Sequence, residues 1–379
     1  MKYLSLFSGI GGLESPSTLP VLLCELSPSC RKVLETRFPG VVVWDDVCTL
    51  RPPNADVLVG GFPCQDISIA GKQNGFAGSR SNLFYEMLRV AKEAGTSTLV
   101  AENVPNLIEL NGGAVMRAVV ESLEEAGFPF IAWRMLNARE FGLPQHRNRI
   151  FLIASKHSAV ATSIHRPLSY ESEPGVVASA DGFYWTAGIQ SICYSRGFTP
   201  TLKVGSSLSI PSPPAVFFDK IVRKLTATEC LLLQGFKPEE FASVTDKDIL
   251  LMTGNAVPVP AGHFVMAGVE GSYCEERIDS DCLLGWSRYP RSGMILNGKL
   301  SEVRHHRTKL AENLGTVIDR TNRAPLSERA AAGLLARLTR SMKDCPSDLN
   351  HALRSAAGSL SNQSVSAEPI EVEEVHRHS

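Results

Sequence analysis

The sequence predicts an α/β protein: a doubly wound, mostly parallel sheet with a small irregular domain and a C-terminal extension. Three observations predict it. Continuous apolar, β-rich runs recur through the first 155 residues, the texture of strands buried on both faces. Helical patterns with recognisable ends fall between them. The first run closes on a glycine-rich turn, Phe7-Ser-Gly-Ile-Gly-Gly12, where such sheets offer backbone N–H groups to a ligand.

Taken in order, strands are expected at Tyr3–Phe7, Val21–Glu25, Val41–Trp44, Asp56–Gly61, Ser97–Ala101, Phe130–Met135 and Ile150–Ala154. Helices are expected at Ser29–Arg37, Ser81–Ala94 and Gly113–Ala126, the last closed by Gly127 in the position a left-handed C-cap favours. Between the first two strands, Pro16 and Pro20 leave room for barely two helical turns. These elements make residues 1–155 one α/β domain, expected to hold the ligand site at its strand ends. Residues 156–222 turn to Ser, Pro, Gly and β-branched side chains and read as a small separate domain. Residues 223–270 return to helical patterning at Thr226–Gln234 and complete the compact part. Residues 271–379 form the extension, with a helix at Ser327–Met342 capped by Ser327 and a polar, disordered end.

At 379 residues and 44% apolar content the chain can bury a full core. The formal net charge is −1, so an acidic partner must be met by local basic patches rather than a global field. Such groups stand at Lys203, Lys220, Arg223 and Lys224, and along the run Arg288 to Lys309. No apolar stretch is long enough to span a membrane and the N-terminus lacks a cleavage site, which places the protein in the cytoplasm. The nine cysteines show no CxxC pairing, so neither zinc nor a disulfide framework is expected.

Chemistry-bearing residues cluster at the strand ends, where open α/β sheets bind ligands. Glu25 follows the second strand and Asp45-Asp46 the third; a carboxylate at the second suits a ribose diol, and one at the third can accept from an adenine amino group. Pro63-Cys64-Gln65 follows the fourth and Glu102-Asn103-Val104 the fifth. A thiolate suits addition to an electron-poor carbon, and a nearby carboxylic acid can protonate a ring nitrogen. The basic run Gln145-His-Arg-Asn-Arg149 supplies guanidiniums, Arg147 and Arg149, to orient a ring carbonyl, the acid or a phosphate.

The ordered set LFSGIGGLE, CEL, DDV, GGFPCQDIS, SRSNLFYEML, ENV, QHRNR, RKLTATECLLLQGF and GNAVPVP resembles the cytosine-C5 DNA methyltransferases of bacteria and phages over residues 3–155 and 223–269. The resemblance implies a Rossmann-like, S-adenosylmethionine-dependent enzyme, monomeric and bound to double-stranded DNA. It casts Cys64 as the nucleophile, Glu102 as the acid at N3 of the base, and Arg147 as the holder of the ring carbonyl or the catalytic groups, with Arg149 beside it. Phe7, Gly9, Gly11, Gly12, Glu25, Leu26, Asp46, Val47, Pro63, Leu83, Asn255 and Ala256 match cofactor-lining positions. Gln65 and Ser68 match a mobile loop that closes over a flipped base, with Thr201, Leu202 and Arg223 as further DNA contacts.

Departures bear on this picture. The shortened first helix thins one wall of the cofactor site, and the 156–222 segment is short for a target-recognition domain, implying a short or degenerate target. GWSRYPRSGMILNGKL in the extension reads either as a DNA-backbone contact or as a loop packed on the catalytic domain. Alternatives are a tRNA cytosine-5 methyltransferase and a catalytically inactive DNA-binding homologue. Against the first, Cys193-Tyr-Ser-Arg-Gly-Phe-Thr199 is not the Cys-Phe-Thr stretch of that family; against the second, Cys64, Glu102, Arg147 and Asn255 occur together. A nicotinamide dehydrogenase fails on the glycine spacing of the first turn.

Overall fold

The structure is a computed structural model describing residues 1–63, 83–168, 179–184, 193–204, 213–271, 278–282, 289–306, 308–341 and 346–358. The N-terminal half runs β1 (Tyr3–Leu6), β2 (Leu22–Cys24), α1 (Pro28–Arg37), β3 (Val42–Trp44), β4 (Val57–Gly61), α2 (Leu83–Ala94), β5 (Thr98–Asn103), α3 (Ala114–Glu125), β6 (Phe130–Asn137), β7 (Gln145–His146), β8 (Asn148–Ser155) and α4 (Ser158–Thr162). The small domain follows with β9 (Asp181–Tyr184), β10 (Cys193–Arg196), β11 (Thr199–Pro200), β12 (Ala215–Phe218) and β13 (Ile221–Lys224). Then come α5 (Ala227–Leu232), α6 (Asp246–Asn255), α7 (Val259–Val269), β14 (Ser280–Cys282), β15 (Ser292–Leu296), β16 (Lys299–Val303), α8 (Glu328–Ser341) and α9 (Ser347–Ala357).

The main sheet has ten strands in the order β14-β16-β15-β6-β8-β5-β4-β1-β2-β3. It is parallel from β5 through β3 and antiparallel from β8 outward. Chain order reverses at β1, which has β4 on one side and β2 on the other, so the ligand crevice opens at the carboxyl end of β1. Strand alternation sends Leu4, Leu6 and Leu58 to one face and Tyr3, Val57 and Val59 to the other. The first face is covered by α2 through Phe84, Met87, Val90, Ala91 and Ala94, and by α3 through Val115, Met116, Val119 and Leu123. The second is covered by α7, whose Ala261, Val265, Met266 and Val269 fall on one helical stripe.

The first crossover departs from expectation. With Pro16 and Pro20 in place, no helix forms between β1 and β2; the segment is a series of turns. The wall it leaves thin is supplied from far along the chain. An ideal Cβ at Gly262 of α7 would lie 2.1 Å from the Gly12 carbonyl oxygen, so the helix rides directly on the glycine turn. Gly262→Ala is expected to destabilise the protein by about 1–3 kcal/mol through this overpacking; a urea-unfolding midpoint equal to wild type would show that α7 can shift away freely.

In the small domain, β10-β9-β12-β13 form an antiparallel sheet. Its β12–β13 hairpin turns at Asp219 and Lys220, both at positive φ (45° and 63°) as a two-residue type I′ turn requires. Alternation along β12 sends Ala215 and Phe217 to one core and Val216 and Phe218 to another. The first core is completed by Leu334, Leu335 and Leu338 of α8 and Leu349 and Leu353 of α9.

Residues 271–379 are therefore more than an extension: β14, β15 and β16 lengthen the main sheet, and α8 and α9 cover the small one. Within GWSRYPRSGMILNGKL, Tyr289 is buried edge-on against Trp133, whose Nε1 donates to Pro290 O, and Ser292–Leu296 pairs with β6. These described residues pack on the catalytic domain.

Candidate active site

A cavity of about 670 Å³ opens where β1, β2, β4 and β5 end. Its walls come from the turn after β1, the ends of β4 and β5, the start of β8, and the α6–α7 junction. Of the residues singled out in the sequence, Phe7, Gly9, Gly12, Glu25, Pro63, Glu102, Arg149, Asn255 and Ala256 line it.

The turn is shaped by backbone conformation. Phe7, Gly9 and Gly11 have φ of 52°, 55° and 83°, the left-handed region that a phenylalanine rarely adopts. At Gly12 it is close approach that excludes a side chain: a Cβ would stand 2.1 Å from Val257 O. Gly9 N donates to Glu25 Oε2 (2.9 Å) and Ser27 N to Oε1 (2.8 Å), fixing the carboxylate at the end of β2 with lone pairs to spare. Burial pushes the Glu25 carboxyl above its ordinary value despite these two donors.

On the opposite wall, Glu102 is 8% exposed at the end of β5. Arg149 Nε lies 3.0 Å from its Oε1. Burial is the dominant influence and raises Glu102, outweighing Arg149 and Arg147, so its protonated form is favoured more than in water. Gly61 packs closely beside it: a Cβ there would lie 2.9 Å from Glu102 Oε2. Asn103 Nδ2 donates to Phe62 O at 2.9 Å and ties the two strand ends together. Cys64, Gln65 and Ser68 lie outside the described residues.

The two arginines divide their work differently from the expectation. Arg149, the second residue of β8, meets the acid. Arg147 stands between β7 and β8 and is fully buried; it donates to Leu202 O (3.0 Å), Gly254 O (3.0 Å) and Ala256 O (2.7 Å). It joins the small domain to the cavity wall and makes no hydrogen bond to Glu102.

Other positions also differ. Gly11, Leu26, Asp46, Val47 and Leu83 are absent from the cavity walls. Gly11 backs onto Arg37 and Phe38, Leu26 is exposed at 73%, Asp46 Oδ1 caps Cys48 N, and Val47 and Leu83 belong to the core under α2. Leu202 is buried, its N–H donating to Gln145 Oε1, while Thr201 Oγ1 donates to His146 O. Arg223 is 2% exposed in a two-point pair with Glu229, so it cannot be a DNA contact in this conformation. The residues that sequence reasoning missed include Glu14, Ser27 and Val257 in the walls. Glu14 comes two residues after the glycine pair, at the start of the segment where Pro16 and Pro20 left room for barely two helical turns, and an acid at that place does not by itself signal burial.

The model of the family described as C-5 cytosine-specific DNA methylase matches residues 1–182. Type II methyltransferase M2.BsuMI of Bacillus subtilis is 37% identical over 290 residues, covering 70% of this chain and 74% of the relative. Type II methyltransferase M.NgoBV of Neisseria gonorrhoeae is 28% identical over 250 residues, with 60% of this chain spanning about half (52%) of that protein. Among solved structures, a prophage-encoded DNA modification methyltransferase from E. coli superposes with a TM-score of 0.52 over 72% of this chain and 99% of its own, at 17% identity, a likeness of fold. Family model, relatives and fold agree: the chain belongs to the C-5 cytosine-specific DNA methylase family.

Proposed function

We propose that the protein transfers a methyl group from S-adenosylmethionine to C5 of a cytosine extruded from double-stranded DNA, within a short target sequence. The observation that carries this reading is the presence of Glu25 and the Glu102–Arg149 pair in the walls of one cavity, which Pro63, the residue before Cys64 in sequence, also lines. The walls fit the cofactor. Gly9 stands in the wall with nothing within 4 Å of where a Cβ would sit, which leaves room for close approach to the backbone, and Glu25 is held by two N–H donors with acceptor capacity left for a ribose diol. When bound there, S-adenosylmethionine supplies an electrophilic methyl group on a sulfonium.

The chain's own residues make the base reactive. The Cys64 thiolate adds to C6 of the cytosine while Glu102 protonates N3, and C5 gains enamine character. Arg149 holds the Glu102 carboxyl in place for that transfer. Once C5 is methylated, loss of the C5 proton to solvent expels Cys64 as the thiolate, and return of the N3 proton to Glu102 restores the neutral ring. Extruding the base costs on the order of a few kcal/mol, which phosphate contacts and the pocket must offset. The DNA reading is favoured over tRNA because the matching family is a DNA methylase. The type II relatives favour a role beside a restriction enzyme in the bacterial cytoplasm.

Bisulfite sequencing of a plasmid propagated with the gene, in a host without cytosine methylation, tests the proposal. Protected cytosines should recur in one short context and vanish with Cys64→Ala. Unprotected DNA beside soluble, folded protein would overturn it.

A further inference from the structure

Glu14 is a buried acid without a counter-ion. It is 3% exposed, yet it contributes to the wall of the cavity at the end of β1. Ser5 Oγ donates to its Oε1 at 2.8 Å and Leu13 N to its Oε2 at 2.9 Å. Both donors are neutral, and they use two of about four lone-pair sites on a carboxylate. Among the described residues no Lys, Arg or His stands within ion-pair distance. Arg37, the cation that influences it, spends its guanidinium on Ile10 O, Gly11 O and Glu240. Burial holds the Glu14 carboxyl above its ordinary value, as expected of an acid that lacks a cation.

A buried, uncompensated carboxylate is costly unless a cation meets it. Glu14 borders the cavity, and the proposed cofactor carries two cationic groups, a sulfonium and an α-ammonium. Resting on the S-adenosylmethionine reading above, we propose that Glu14 is the counter-ion for the cationic methionine portion of the cofactor, making the pocket selective for ligand charge as well as shape. Glu25, on a neighbouring wall, then serves the uncharged nucleoside. Glu14 is a binding residue in this account and takes no part in bond making.

Isothermal titration of the full chain with three ligands tests this. S-adenosylmethionine carries both cations, S-adenosylhomocysteine the ammonium alone, and 5′-methylthioadenosine neither. Glu14→Gln keeps the shape and the Ser5 hydrogen bond but removes the charge. It is expected to weaken S-adenosylmethionine about tenfold or more while moving 5′-methylthioadenosine by less than about twofold. An equal loss for S-adenosylhomocysteine assigns the ammonium; a preserved affinity assigns the sulfonium. The ratio of affinities within one sample cancels any partial unfolding, and Glu14→Asp, which keeps the charge, should hold the wild-type ratio. Equal losses for all three ligands, or none, would overturn the inference while leaving the cofactor reading intact. Failure of the wild-type protein to bind any of them would overturn both.

Discussion

Glu102→Gln is expected to slow methyl transfer by about 10²–10⁴-fold, the usual contribution of a positioned general acid, while leaving cofactor affinity near wild type. The glutamine fills the same space and can still accept from Arg149, but it has no proton to give to N3. Cofactor affinity is spared because Glu25, the carboxylate proposed to meet the ribose, is held independently by Gly9 and Ser27. The wild-type rate should also carry a limb that falls as pH rises through the burial-raised titration of Glu102, because the productive form is the protonated one. That limb should be missing from Glu102→Gln.

The pair with Arg149 complicates the experiment and also supplies its control. Both side chains are about nine-tenths buried (10% and 11% exposed), so neutralising the acid alone leaves a cation in a poor solvent, which is strongly destabilising. Removing both charges together, as Glu102→Gln with Arg149→Met, should recover stability without recovering rate. If the double variant regained wild-type transfer, Glu102 would be a charge partner for Arg149 and no acid. Single-turnover rates with tritiated methyl donor, read beside thermal midpoints, separate the two outcomes.

The half of the fold that holds the crevice was legible because its elements are local. Tyr3–Leu6, Val57–Gly61 and Thr98–Asn103 are mostly apolar runs that end in or lead into a glycine turn, a glycine pair or an acid, and each strand end points its next residues at the ligand. Glu25 and Glu102 could be located from this rule alone. The C-terminal strands could not. Ser292–Leu296 is a five-residue segment whose place is decided by pairing with β6, more than 150 residues earlier, and Lys299–Val303 then pairs onto it; no local pattern encodes a partner at that distance. Arginine roles were the least legible. A cation in sequence reads as a surface group, and only the packed structure reveals that Arg147 ends on three carbonyls and that Arg149 meets the acid.

Arg223 shows the same lesson with the largest expected cost to stability. As a surface DNA contact, its loss would weaken DNA binding and reduce the salt dependence of affinity by about one phosphate contact. Its geometry argues for a different result. Arg223 donates to both carboxylate oxygens of Glu229 (2.8 and 2.6 Å), and to Lys224 O, Asn322 O and Asp319 O at 2.9 Å each. Glu229 in turn accepts from Thr226 N, closing the capping box of α5, and from Asp319 N. One buried pair thus ties the last strand of the small sheet to the helix that follows it and to the 319–322 segment ahead of α8. Arg223→Met should lower unfolding free energy by about 3–5 kcal/mol, the cost of stranding a buried partner, and Arg223→Met with Glu229→Leu should recover much of it. DNA affinity of whatever remains folded should keep the wild-type salt slope. A variant with an unchanged urea midpoint and a shallower slope would return Arg223 to the DNA interface.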